Sequence, residues 1–140
     1  MSERTGGCMC GAVRFTASDV PAQFGICHCE MCRRWSGSAT LSVSLPEASV
    51  EWTGAAHIRA LQSSEDAERT WCDRCGSGLY YRPVEGPARL VLSLGLFDDP
   101  SGFALRDEIF IDCKPDSYAF VGDHPRRTRA DVMGPEEVSS

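Results

Sequence analysis

Seven cysteines, in three groups, could hold metal, and their spacing separates two kinds of centre. Cys72-Asp73-Arg74-Cys75-Gly76 is a C-x-x-C pair followed by glycine. Two intervening residues let both sulfurs reach one ion at about 2.3 Å. Gly76 clears space where backbone N–H groups approach the sulfurs and stabilise thiolate. A structural zinc takes four ligands, and Cys8 and Cys10 are the donors at hand to complete the set. Gly6, Gly7 and Gly11 give that C-x-C segment the freedom to turn both sulfurs inward. The middle group differs. Cys27, Cys29 and Cys32 lie within six residues and can converge unaided. Three protein ligands with one open position is the arrangement of a catalytic zinc. Three thiolates leave such an ion a weak activator of water, so a thiol is its natural fourth ligand.

Three other arrangements of these cysteines stay open on spacing alone. They are disulfides, a single four-ligand zinc with spare cysteines, and a redox pair at Cys72–Cys75, which lacks the helical pattern that follows such pairs. His28, between two ligands, is a possible fourth ligand or acid–base group, although the middle side chain of a C-x-C is expected to point away from the metal. Arg33-Arg34 follows Cys32 directly and could clamp a substrate carboxylate or stand as a solvated pair. Ser36-Gly37-Ser38 could supply donors near the site or form an ordinary turn. Cys113 is expected to be a small buried hydrophobe. His57 and His124, with no cluster beside them in sequence, are expected to fill surface or core roles.

The elements that must position these groups read as strands. Ala12–Ala17 alternates with Val13 and Phe15 on one face, and Ala39–Leu45 sets Leu41, Val43 and Leu45 against Thr40, Ser42 and Ser44. Further strands are predicted over residues 50–53, 58–62, 78–82, 89–94 and 109–112, with Gly, Pro and Asp between them. One short helical turn is predicted over Glu30–Trp35. No repeat appears and no linker divides the chain. The reading is one mainly β domain of short antiparallel hairpins and small sheets stapled by zinc.

The 140 residues, 42% hydrophobic and 24% charged, are ordinary for a globular protein. No apolar run reaches the roughly 18 residues a membrane span needs. The opening residues show no apolar leader, so a reducing cytoplasmic setting is expected, where eight cysteines point to metal before disulfides. The formal net charge of −6 would become more negative with thiolates around two Zn²⁺, which argues against nucleic acid. Arg126, Arg127 and Arg129 read as a solvated tail segment, and residues 134–140 as loosely held.

Five ordered segments resemble the glutathione-dependent formaldehyde-activating enzyme family, which includes a centromere-protein-like branch. Gly6-Gly7-Cys8-Met9-Cys10-Gly11-Ala12-Val13-Arg14-Phe15 is similar to its opening. Residues 27–38, from Cys27-His28-Cys29 to Ser36-Gly37-Ser38, are similar to its second signature. Cys72-Asp73-Arg74-Cys75-Gly76-Ser77-Gly78-Leu79, Gly95-Leu96-Phe97-Asp98-Asp99-Pro100 and Ile109-Phe110-Ile111-Asp112-Cys113-Lys114-Pro115 match three more. The resemblance implies an Mss4-like fold over residues 6–125, followed by a polar tail over 126–140. It implies two zinc ions per chain, one structural at Cys8, Cys10, Cys72 and Cys75, and one catalytic at Cys27, Cys29 and Cys32. The implied activity is that of a carbon–sulfur lyase, a synthase of S-(hydroxymethyl)glutathione, with glutathione and an aldehyde as partners; Arg33 or Arg34, read from their place after Cys32, would then contact the glutathione carboxylates. The alternative is a non-catalytic, zinc-stabilised binding module. The chain departs from the pattern at Glu108, where histidine often precedes Ile-Phe, and at Tyr118, where tryptophan is common.

Overall fold

The computed structural model describes residues 2–134, so the expectation of a loosely held end falls, beyond Gly134, outside the described residues. The chain divides into two compact units, Met1–Gln23 with Ser42–Phe103, and Phe24–Leu41 with Ala104–Ser140. Strands dominate the first.

In the first unit β1 (Ser2–Gly7), β2 (Arg14–Val20) and β5 (Val50–Thr53) form a three-stranded antiparallel sheet in the order β1-β2-β5. Strands β4 (Thr40–Pro46), β9 (Arg89–Ser93), β8 (Gly78–Pro83), β7 (Ala67–Cys72) and β6 (Ile58–Ser64) follow one another as hydrogen-bonded antiparallel neighbours. The alternation read from sequence decides which faces are buried. Phe15 and Ala17 on β2, Val43 and Leu45 on β4, and Leu90 and Leu92 on β9 are all buried. The ring of Phe15 packs edge-on against Phe97 at 5.4 Å between centroids and tilted against Trp52 at 5.5 Å.

The second unit holds β3 (Gln23–Cys27) beside β10 (Ala104–Ile109), with helix α1 (Glu30–Ser36) and a short C-terminal helix α2 (Arg129–Met133). Helix α2 starts with a capping box in which Thr128 and Asp131 satisfy each other's backbone N–H groups. No described helix is long and apolar enough to cross a membrane.

Most predicted strands stand where expected, and the helical turn after the central cysteines is α1. The exception is residues 109–112. Phe110 sits in the left-handed region at φ 55°, which ends β10, and Ile111–Cys113 is a 3-10 turn. Strands β1, β7 and β10 escaped the sequence reading because polar and charged residues break their alternation, and β3 because it is only five residues long with Gly25 at its centre. On β7 the charged Arg69 is buried, its guanidinium 5.0 Å from the centre of the Tyr81 ring. On β10 both Asp107 and Glu108 are buried. Arg126 and Arg127 are exposed, and their backbone is held. The chain from Pro125 to Arg127 pairs with β10 through Glu108 N–H to Pro125 O at 3.0 Å and Arg127 N–H to Glu108 O at 2.8 Å. The Arg127 side chain lies 3.5 Å from Asp107.

Two local features carry measurable stability. Gly54 turns the chain after β5 at φ 75°, and a Cβ there would lie 1.7 Å from the carbonyl oxygen of Ala12. Gly54→Ala is therefore expected to destabilise the first unit by more than about 2 kcal/mol, read by denaturant unfolding. The side chain of Arg14 grips Asp98 through two hydrogen bonds of 2.9 and 2.6 Å, and Thr5 adds a third of 2.7 Å. Hydrogen bonding from Arg14, then from Thr5, pulls the Asp98 carboxyl down to about 2. A depressed carboxylate contributes stability above its unfolded value of about 3.9 and loses it as pH falls through the folded value. Asp98→Asn should thus lower stability at neutral pH, with the gap from wild type closing between about pH 4 and pH 2 in urea unfolding followed across that range.

Candidate metal centres

In the first unit the sulfurs of Cys8, Cys10, Cys72 and Cys75 all lie within 4.8 Å of one another. Those of Cys8 and Cys10 are 3.6 Å apart, and those of Cys10 and Cys72 are 3.8 Å apart. Four sulfurs placed tetrahedrally at about 2.3 Å from one ion are about 3.8 Å apart. The donor set and its spacing fit a thiophilic metal ion. All eight cysteines are free thiols, so the disulfide arrangement is not realised.

Two turns aim these sulfurs. The first joins β1 to β2, where Cys8 N–H donates to Val13 O at 2.9 Å and Gly11 N–H to Cys8 O at 3.2 Å. Of the three glycines around this pair, only Gly11 takes a positive φ, 82°. The second is the knuckle after β7, closed by Gly76 N–H to Cys72 O at 2.8 Å. Gly76 is at φ 79° and a Cβ there would meet nothing within 4 Å. Its role is therefore conformational, where the sequence suggested clearance. Backbone N–H groups of Val13 and Arg74 point at the sulfurs of Cys8 and Cys72, at 3.3 and 3.4 Å. The Ser77 hydroxyl lies 3.1 Å from the sulfur of Cys75. Hydrogen bonds from the side chain and backbone of Ser77 pull the Cys75 thiol down to about 5. One sulfur of the set is thus ready to ionise without help.

In the second unit Cys27, Cys29 and Cys32 bring their sulfurs within 4.8 Å of one another. Among the described residues no fourth ligand atom joins them. Cys27 ends β3, Cys29 caps α1, and Cys32 lies one turn into the helix. The Cys29 sulfur accepts a hydrogen bond from Cys32 N–H at 3.4 Å, in the place a serine or aspartate would take at a helix start. The helix ends one turn later at Gly37, φ 84°, whose N–H donates to Arg33 O. Hydrogen bonding to Cys29 and Cys32, then burial, push the Cys27 thiol up. Three crowded sulfurs resist ionising together, so binding a cation and releasing protons must go as one event here.

His28 is not a member of the three-sulfur set, as expected for the middle residue of C-x-C. Its ring is buried, and its Nε2 lies 2.7 Å from Glu108 Oε1. The second oxygen of Glu108 lies 2.5 Å from Nε2 of His124 and 3.2 Å from Nε of Arg126. Burial pushes the Glu108 carboxyl up, but hydrogen bonds from His124 and His28 outweigh it and hold it below the usual carboxylate range. Sequence reasoning missed this cluster, since 96 positions separate His28 from His124 and a lone Glu on a strand looks solvated. The signal available was the unusual Glu before Ile109-Phe110. Cys113 is also corrected. It is exposed, because the 3-10 turn after Phe110 carries it to the surface.

A groove of about 490 Å³ opens in the same unit, lined by Arg33, Arg34, Gly37, Ser38, Ser117 and Tyr118 among others. That is within the roughly 300–1,000 Å³ of small-molecule sites. Its two arginines are not equivalent. Arg34 is exposed and held by Glu30 one turn back at 3.0 Å, whereas Arg33 is half-buried and pairs with no described residue. The sequence left the pair as a carboxylate clamp or a solvated pair; the structure ties Arg34 to Glu30 and leaves Arg33 uncommitted.

The comparisons with known proteins agree with this geometry. The family model described as glutathione-dependent formaldehyde-activating enzyme matches residues 3–113. An uncharacterized lyase of Schizosaccharomyces pombe is 29% identical over 133 residues, covering 95% of this chain and 96% of its own. A Halomonas elongata protein provisionally named a glutathione-dependent formaldehyde-activating enzyme is 35% identical over 83 residues, covering 54% of this chain and 53% of its own. A Rhodobacter sphaeroides crystal structure shares the fold at a TM-score of 0.58 and 19% identity, covering 72% of this chain and 98% of that one. Two cysteine centres set on short hairpins, in a chain matched by that family model from residue 3 to residue 113, establish that the protein belongs to the glutathione-dependent formaldehyde-activating enzyme family.

Proposed function

We propose that the protein is a zinc-dependent enzyme of the carbon–sulfur lyase type, joining or parting a glutathione thiol and an aldehyde at the Cys27–Cys29–Cys32 centre. The observation that carries this reading is the three-sulfur set, which no described side chain completes, in the unit that also holds a groove with an uncommitted arginine. The family membership and the lyase name of the yeast relative support it. Zinc held by these three cysteines would supply a soft Lewis acid that lowers the pKa of a thiol and keeps it as thiolate.

The residues of the chain do the rest. Arg33 offers a planar guanidinium to a substrate carboxylate, a fit that a peptide thiol such as glutathione meets and a simple thiol does not. Arg34, tied to Glu30, adds positive charge at the rim. Ser38, Ser117 and Tyr118 offer hydroxyls along the groove. The Lys114 ammonium is committed to the carbonyls of Pro115 and Tyr118 and so shapes the wall without meeting the substrate. The reaction is an addition: sulfur bonds to the aldehyde carbon and a proton ends on its oxygen, with no net oxidation. Holding both partners in one groove supplies the gain in rate expected from proximity.

The reading makes two checks. Calorimetry with glutathione should show binding to wild type and at least tenfold weaker binding to Cys29→Ser; equal binding by both would count against the centre as the thiol site. The two centres should also part under mutation. Cys72→Ser removes a ligand from a centre that can contribute about 10 kcal/mol of folding free energy, more than most domains hold in reserve, so it should yield unfolded or insoluble protein. Cys27→Ser should stay folded, carry one zinc where wild type carries two by elemental analysis, and lose activity.

A further inference from the structure

The cluster beside the three cysteines has a geometry that catalysis at an exposed carboxylate would not need. Glu108 is 0% exposed and both its oxygens are occupied, by His28 on one side and by His124 and Arg126 on the other. An ionised carboxylate only accepts, so both histidines present Nε2–H to it. Arg126 is itself fixed by the carbonyls of Phe120 and Gly122, each at 3.0 Å. The rings of Phe120 and Tyr118 pack beside His28 at 6.0 and 6.3 Å between centroids. His28 is thus held from its ring by Glu108 and from its backbone by Ile109 O at 3.1 Å.

His28 stands between two of the sulfurs. Successive side chains of an extended chain point to opposite sides, and Cys29 is extended at φ −61° and ψ 157°. Cys27 and Cys29 therefore face one way and His28 the other. Fixing the His28 ring fixes the tilt of the backbone that carries both sulfurs. We propose that Glu108 is a positioning residue for the Cys27–Cys29–Cys32 centre, acting through His28 to set how tightly that centre holds its ion, with His124 and Arg126 keeping the carboxylate in place. The inference rests on the zinc reading of this centre given above. Partners that orient metal ligands from outside the coordination shell change affinity by about ten- to a hundredfold when removed.

The test uses zinc-loaded full-length protein titrated with EDTA, with ions per chain counted by native mass spectrometry. Wild type should release zinc in two steps, the three-cysteine centre first. Glu108→Gln keeps the shape and one acceptor oxygen but removes the charge. It should move the first step to about tenfold less chelator and leave the second step, at Cys8, Cys10, Cys72 and Cys75, in place. Glu108→Asp, which restores the charge, should recover part of the loss. His124→Gln, which removes one holder of the same carboxylate, should shift the first step in the same direction and serves if Glu108→Gln does not fold. An unmoved first step, or an equal shift of both steps, would overturn the proposal, the second because it reports general loosening. Wild type that carries zinc only at the four-cysteine centre would instead overturn the functional reading, and this one with it.

Discussion

Thiol sulfurs repel one another's ionisation, and this chain packs them in two groups within 4.8 Å. Such crowding is tolerable in only two ways: the protons stay on, or a cation takes their place. The local structure around each group tilts the choice differently. At the four-cysteine centre, hydrogen bonds from Ser77 draw the Cys75 thiol down, while neighbouring sulfurs hold Cys10 up, so part of the set favours thiolate before an ion arrives. At the three-cysteine centre the Cys27 thiol is pushed the other way by its neighbours and by burial. The first is built like a fastener, the second like a socket whose occupancy depends on conditions and ligands.

That contrast follows from how far apart the ligands stand in the chain. The fastener draws on segments 62 residues apart, Cys10 and Cys72, and brings them to one place in the first unit. The socket is local. One strand end, one helix cap and one helical turn supply it, and a capped seven-residue helix is enough to aim the third sulfur. A local centre can gain and lose a ligand without unravelling distant strands, which suits chemistry more than architecture.

The grouping of the cysteines was legible because Cys27, Cys29 and Cys32 are neighbours and two close pairs remain, and the strands around Val43, Phe15 and Leu92 were legible because hydrophobic alternation with period two is a direct record of a half-buried sheet. What stayed hidden was buried charge. Arg69 on β7 and Asp107 and Glu108 on β10 are buried, and their charge breaks the apolar alternation of the strands that carry them. The partners of Glu108 lie far off in sequence, at His28 and at His124 and Arg126, so no local pattern could announce them. Phe110 was a different kind of miss: a bulky residue in the left-handed region follows from the surrounding structure and leaves no trace in composition.

The joining of Cys8 and Cys10 to Cys72 and Cys75 has a consequence for synthesis. Cys10 emerges from the ribosome 65 residues before Cys75. At about 5–20 residues per second, two thiols wait for several seconds before their partners exist. For most of that interval, until Thr53 is made, the first hairpin also lacks β5 beside β2. A nascent chain in this condition is a target for oxidants and for mispairing with the middle cysteines, which are complete as a group much earlier. The order of translation therefore makes Cys27, Cys29 and Cys32 all present 43 residues before Cys75 completes the four-cysteine set.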